Sequence, residues 1–205
     1  MTIKSAPLGE LGANFYMITD EDTGEMLVID PGAMPDTAIS LIEDSGAKLK
    51  YIIITHAHTD HIGALDKVKG KFDAPVVIHR DDAAALNDPN LNLCGAFGFS
   101  SPVTHADIIV EDGTTLPFGN TKIKFIHTPG HTRGSMCVLL DGSLFSGDTL
   151  FECSIGRTDF PGGSFAQIQQ SIQNKIYTLK PSTVVYPGHG NPTTVEYEKN
   201  NNPFV

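Results

Sequence analysis

Cysteine is scarce in this chain: Cys94, Cys137 and Cys153 are the only three in 205 residues, and no two of them form a CxxC pair. An odd, widely spaced set argues against a disulfide framework and against a thiolate-type zinc site, so free buried thiols in a reducing cytosol are expected. Positive charge is short as well. The 14 Lys and Arg stand against 24 Asp and Glu, for a net charge of −10, and nucleic-acid binding needs the basic footprint this chain lacks. No apolar run approaches the length of a membrane span. Met1 to Leu11 has no apolar core of the kind a signal peptide carries. These absences together predict a cytoplasmic protein with no membrane and no nucleic-acid partner. No linker or low-complexity segment interrupts the chain, and its length favours one domain over residues 1–205 with a substantial core.

Short apolar runs alternate with turn signals. Phe15 to Ile18 and Met26 to Ile29 read as paired strands around a polar turn, Asp20 to Gly24. Asp30-Pro31-Gly32 stops the second strand. Ala38, Leu41 and Ile42 then mark an amphipathic helix ending at Gly46. Tyr51 to Ile54 is a buried strand, Ile62 to Val68 a helix, and Pro75 to Ile78 another strand. The second half repeats the plan. Ser143 to Phe145 is a strand ending at Asp148, and Ser164 caps a helix with Ile168, Ile172, Ile176 and Leu179 on one face. Thr183 to Tyr186 is the strand that follows. Each half thus runs strand, Asp, helix, strand, His-bearing turn: Asp30 then His56, Asp148 then His189. This predicts an α/β fold of two pseudo-repeated halves, with two sheets packed face to face between helices.

The richest stretch is Thr55-His56-Ala57-His58-Thr59-Asp60-His61, which follows an apolar strand directly. Imidazole and carboxylate suit borderline divalent metals such as zinc, and the end of a strand is where α/β proteins present ligands. Three more donor-type residues stand after strands downstream: His131, Asp148 and His189. Seven donors are too many for one tetrahedral metal and suit two, bridged by a shared carboxylate. His79, His105 and His127 lie outside this pattern and read as structural, with His127 able to orient His131.

The series His56-x-His58-x-Asp60-His61, then His131, Asp148 and His189, resembles the metallo-β-lactamase superfamily in every position and in order. Within it, Gly156-Arg157-Thr158-Asp159-Phe160 is similar to the short bacterial form of the glyoxalase II (hydroxyacylglutathione hydrolase) group. The resemblance implies a four-layer αββα sandwich. It implies one metal on His56, His58 and His131, a second on Asp60, His61 and His189, and Asp148 bridging both. The two divalent ions would be zinc in the first instance, with iron or manganese as alternatives. They would activate a bridging water to hydroxide near neutral pH for attack on a thioester carbonyl, with Asp60 and Asp148 as the catalytic carboxylates. The implied partner is a small-molecule thioester, S-lactoylglutathione or a related hydroxyacylglutathione. Arg157 is the candidate for a glycyl carboxylate; the alternative is that it pairs with Asp159 and stiffens the loop. Glyoxalase II carries a C-terminal helical domain that is not expected here, which opens the way to other thioesters. Cys94 to Phe99 and Val103 to His105 could line a pocket, with Phe97 and Phe99 equally readable as core. The chief rival is a persulfide dioxygenase of the same superfamily, holding one iron on His56, His131 and Asp148; a lactonase or other metallohydrolase is a further alternative.

Overall fold

Residues 1–205 are described by a computed structural model, and contact density divides them into two units: Met1–Val110 with Phe118–Asn120, and Glu111–Pro117 with Thr121–Val205. In the first unit β1 (Thr2–Leu8), β2 (Ala13–Asp20), β3 (Glu25–Ile29), β4 (Lys48–Ile53), β5 (Val76–His79) and β6 (Ile108–Val110) form one sheet in that order. The first three strands are antiparallel neighbours, as the polar turn predicts, and β3 through β6 run parallel. Asp20 closes the β2–β3 turn by accepting the N–H groups of Asp22 and Thr23 on its Oδ1, the usual use of Asp at a turn start.

The crossover from β3 to β4 is α1 (Pro35–Asp44), which places Pro where a first helical turn tolerates it. Ala38 and Ile42 are fully buried against Val28, Ile52 and Ile54, while Leu41 packs at the edge of that cluster. After β4 the helix expected from Ile62 to Val68 is two pieces, α2 (Thr59–Ile62) and α3 (Leu65–Phe72). The break has a local cause: the Ala64 N–H donates to the carbonyl of Pro31 at 2.9 Å and leaves the helical ladder. Two further short helices, α4 (Arg80–Ala83) and α5 (Cys94–Phe97), follow β5.

The second unit carries β7 (Thr115–Phe118) except its last residue, β8 (Thr121–His127), β9 (Met136–Leu140), β10 (Ser143–Gly147), the small hairpin β11 (Leu150–Phe151) and β12 (Ser154–Ile155), then β13 (Val184–Pro187) and β14 (Thr193–Thr194). Its main sheet is ordered β14-β13-β10-β9-β8-β7. β10 and β13 are parallel neighbours joined through α6 (Phe165–Ser171), and α7 (Val195–Asn201) comes last. The Ser164 Oγ accepts the Gln167 N–H, the cap read from sequence. β3–α1–β4 and β10–α6–β13 are therefore the same crossover to a parallel neighbour, which is the repeat legible in the sequence. No helix is long and apolar enough to cross a membrane.

Candidate metal centre

β4 delivers its histidines at its C-terminal end, as expected for a ligand site in a parallel sheet. His56, His58 and His61 are all buried. Their rings cluster: the His56 centroid lies 4.8 Å from that of His58 and 4.1 Å from that of His61. The stretch is not wholly a loop. His58 is the N-cap of α2, so Asp60 and His61 stand in its first turn. The His61 Nε2 faces the Asp60 Oδ2 at 3.7 Å.

Asp30, at the end of β3, organises this cluster. Its Oδ1 accepts the Thr55 N–H at 2.8 Å, and its Oδ2 accepts the Thr55 hydroxyl at 2.6 Å. The same Oδ2 lies 2.9 Å from the His61 Nδ1. A carboxylate only accepts, so the proton of His61 sits on Nδ1 and its lone pair is on Nε2. The Thr55 hydroxyl has one proton and gives it to Asp30. Its oxygen therefore accepts at 3.1 Å from the His56 Nδ1, which fixes the same tautomer on His56. Two imidazoles are set by one carboxylate. Below them, the Ala57 N–H donates to the buried Asp82, pinning the backbone between His56 and His58. Gly32 makes the close approach possible: a Cβ there would stand 1.6 Å from the Asp60 carbonyl oxygen.

In the second unit His131 sits in a tight loop after β8. The Thr128 N–H donates to the Ser135 carbonyl at 2.8 Å, and the Gly130 N–H to the Thr132 carbonyl at 3.0 Å. The Ser164 N–H donates to the Gly130 carbonyl at 2.7 Å, tying the loop to the start of α6. His127 closes the loop from outside, its Nε2 on the Arg133 carbonyl at 2.8 Å; its ring bond is to the loop backbone. The His131 Nδ1 donates to the Arg157 carbonyl at 2.7 Å, again leaving the lone pair on Nε2. That Nε2 is 3.6 Å from the Asp148 Oδ2, and the His189 Nε2 is 3.7 Å from the same oxygen. Gly156 permits this packing, since a Cβ would meet the Asp148 carbonyl oxygen at 1.8 Å.

These separations decide what the groups can do. At 3.6–3.7 Å the nitrogen–oxygen pairs are too far apart for hydrogen bonds. Two donors each about 2.1 Å from one tetrahedral cation stand about 3.4 Å apart, close to what is seen. All seven residues belong to His and Asp groups that could hold a metal ion. Imidazole nitrogen with carboxylate oxygen is a donor set for zinc, iron or manganese. The residues present fit the cations that the sequence implies.

Arg157 is held by its neighbours. Its Nε and Nη2 grip the two Asp159 oxygens at 2.8 and 2.7 Å, and its guanidinium lies 3.9 Å over the Phe160 ring. The guanidinium holds the Asp159 carboxyl down at about 2. His79 is buried and caps α4, accepting the Asp81 N–H on its Nδ1. Phe97 and Phe99 are 48% and 58% exposed, so the core reading of them fails; both line a cavity, and Val103 to His105 are not in its lining. Sequence reasoning did not single out Thr55 or Asp82, and it used Asp30 only as a marker of the repeat. The position of Asp30, matching that of Asp148 in the other half, was the available signal.

The profile of the Metallo-beta-lactamase superfamily matches residues 8–189. The chain is 36% identical to the "Probable metallo-hydrolase YqgX" of Bacillus subtilis over all of this chain and 98% of that one. It is 30% identical to the "Hydroxyacylglutathione hydrolase GloC" of Haemophilus influenzae, over all of this chain and 98% of that one. Among solved structures, the BLEG-1 B3 metallo-beta-lactamase superposes with a TM-score of 0.94 at 37% identity, covering 99% of both chains. TTHA1623 in a di-iron-bound form gives 0.87 at 32%, covering 98% of this chain and 100% of its own. ETHE1 from Myxococcus xanthus gives 0.84 at 29%, covering 99% of this chain and 84% of its own. The architecture is that of these structures: an α/β fold of two sheets with helices, consistent with the αββα sandwich expected.

Proposed function

Because the chain belongs to the metallo-β-lactamase superfamily, and is a metallohydrolase of that group, we propose that it is a dinuclear hydrolase of thioesters, with S-lactoylglutathione as its leading substrate. One observation carries the two-metal part of the reading. His61, His131 and His189 each present Nε2 to a carboxylate oxygen at 3.6–3.7 Å, the spacing of two ligands on one cation. In this reading His56, His58 and His131 would hold one ion and Asp60, His61 and His189 the other, with Asp148 available to both. When bound, the ions supply Lewis-acid charge and lower the pKa of water toward neutrality.

The chain's own groups do the rest. Asp30 and Thr55 hold His56 and His61 in the tautomer that offers Nε2, and the Arg157 carbonyl does so for His131. Asp60, 19% exposed at its side chain, orients water by accepting its proton in a hydrogen bond. A thiolate leaves without a dedicated general acid, and none of the three cysteines is needed as a nucleophile. Arg157 holds its loop first: a glycyl carboxylate would have to displace Asp159 from the guanidinium fork. The thioester part of the reading is supported by the glyoxalase-like Gly156–Phe160 segment and by the GloC relative. The three free thiols support a cytoplasmic location.

A second reading, for which the likeness to ETHE1 is the motive, is a persulfide dioxygenase with one iron on His56, His131 and Asp148. The test is metal analysis of freshly purified protein together with hydrolysis of S-lactoylglutathione. Two divalent ions per chain with turnover are expected. A single iron, no hydrolysis, and O₂ uptake with glutathione persulfide would replace the hydrolase with the dioxygenase. Hydrolysis of a β-lactam in preference to every thioester would move the substrate class toward that of BLEG-1.

A further inference from the structure

A cavity of about 670 Å³ opens in the first unit with Asp60 in its wall, within the size range of small-molecule sites. Its apolar lining comes from three separate places. Leu11 belongs to the β1–β2 turn, Met34 precedes α1, and Phe97 and Phe99 flank the end of α5. These four side chains are 48%, 51%, 48% and 58% exposed, a concentration of large apolar surface that soluble proteins leave open mainly at binding sites. The display is not slack chain. The Phe99 N–H donates to the Cys94 carbonyl at 2.8 Å, and the Val103 and Thr104 N–H groups both donate to the Asp66 carboxylate. The Asn92 side chain bonds the Leu86 carbonyl and the Cys94 N–H. The backbone is stitched down while the rings face solvent.

Charge narrows the occupant. The lining contains Glu10 and Asp60 and no Lys, Arg or His. A carboxylate-bearing group finds no cationic side chain there and meets Glu10, while Asp60 would spend its charge on the ion assigned to it. We propose that this cavity is the acyl-side pocket of the enzyme and that it selects neutral apolar acyl groups, larger than a lactoyl group, over anionic ones. The proposal rests on the hydrolase reading for the word acyl; the preference for an apolar, uncharged ligand beside Asp60 rests on the cavity alone. A substrate's polar thiol portion then lies outside this pocket, with the thioester carbonyl at the Asp60 end.

Binding tests the cavity without turnover. The neutral probe N-phenyl-1-naphthylamine should brighten on the metal-loaded protein and be displaced by non-hydrolysable S-alkyl thioethers of N-acetylcysteamine. Each added methylene should lower the displacing concentration about fourfold, and a terminal carboxylate should raise it at least tenfold. Leu11→Ser and Phe99→Ser should each flatten that gradient. A second arm reads kcat/KM on acetyl through octanoyl thioesters of N-acetylcysteamine, where the same gradient is expected. No chain-length dependence of displacement, or equal affinity for the carboxylate analogue, overturns the pocket. So does a protein dimer that dissociates on Phe99→Ser, because the rings would then serve self-association. A displacement gradient with no hydrolysis of any thioester, S-lactoylglutathione included, keeps the pocket and overturns the thioesterase reading instead.

Discussion

Asp30 holds Thr55 and His61 directly and His56 through the Thr55 hydroxyl, so its removal should be felt at the metals without touching them. Asp30→Asn keeps the shape but cannot accept from both sides of the relay. Metal affinity should fall about 10- to 100-fold, measured by competition with a chromophoric chelator; unchanged affinity would remove Asp30 from the positioning role. Residue chemistry also separates the thiols. Cys94 and Cys137 are buried, and burial pushes the Cys137 thiol up to about 11, while Cys153 is partly exposed. A thiol reagent at pH 8 should label one cysteine in the native protein, Cys153, and three after denaturation. Labelling of Cys137 in the native state would contradict its packing. The Arg157–Asp159 pair gives a pH prediction. The folded carboxyl lies at about 2, below its ordinary value. Whatever the pair contributes is thus present above the unfolded carboxylate value near 3.9 and lost as pH falls through about 2. A carboxyl carbon titration of Asp159 by NMR should have its midpoint near there; a midpoint close to 4 would mean the pair is open in solution. All seven donor residues were legible as residues, because their types and order leave few other uses. Their tautomers were not: these depend on Asp30, Thr55 and the Arg157 carbonyl, partners brought near by folding. Arg157 was undecided for the same reason, since spacing by two does not say whether a loop lets a fork close.

Elements were legible where one period ruled and less so where two contacts competed. Ile168, Ile172 and Ile176 are correctly on one buried face, but the α-helix they suggested ends at Ser171 and continues as a π-helical turn, Ile172–Ile176. The three isoleucines repeat every four residues, which overshoots a 3.6-residue turn. A wider turn, with the Tyr177 N–H on the Ile172 carbonyl, brings Ile176 back to the core. Leu179 falls beyond it and packs only partly. The break between α2 and α3 has the same kind of cause, since the Pro31 carbonyl outcompetes the helical ladder at Ala64. Ile172 has no exposed surface, so Ile172→Ala should cost about 2–5 kcal/mol, whereas Ser164→Ala should cost about 1 kcal/mol through the lost cap. Chemical denaturation midpoints at constant m-value check both. An Ile172→Ala cost below that of the cap would mean the π turn is not packed as described.

The parallel between β3–α1–β4 and β10–α6–β13 was readable because each crossover carries its own strand, Asp and His signals in the same order. What the halves do with the repeated Asp differs, and sequence could not tell them apart: Asp30 turns to Nδ1 of His61, while Asp148 faces Nε2 of His131 and His189. One orients a ring; the other stands within 4 Å of two imidazole nitrogens. Both halves carry carboxylates close to imidazole lone pairs, in positions where the Asp148 and Asp60 side chains are only 12% and 19% exposed. A cation that binds the folded arrangement and not the unfolded chain would stabilise it by mass action, about 2.7 kcal/mol at a hundredfold excess over Kd. Stripping the ions should therefore lower Tm, and adding back zinc, iron or manganese should restore it in proportion to affinity. Asp148→Ala should both lower the number of ions bound and blunt that rise in Tm. If the stripped protein melted at the same temperature as the loaded one, the seven donors would not be acting as a metal centre at all, and the hydrolase and the dioxygenase readings would fall together.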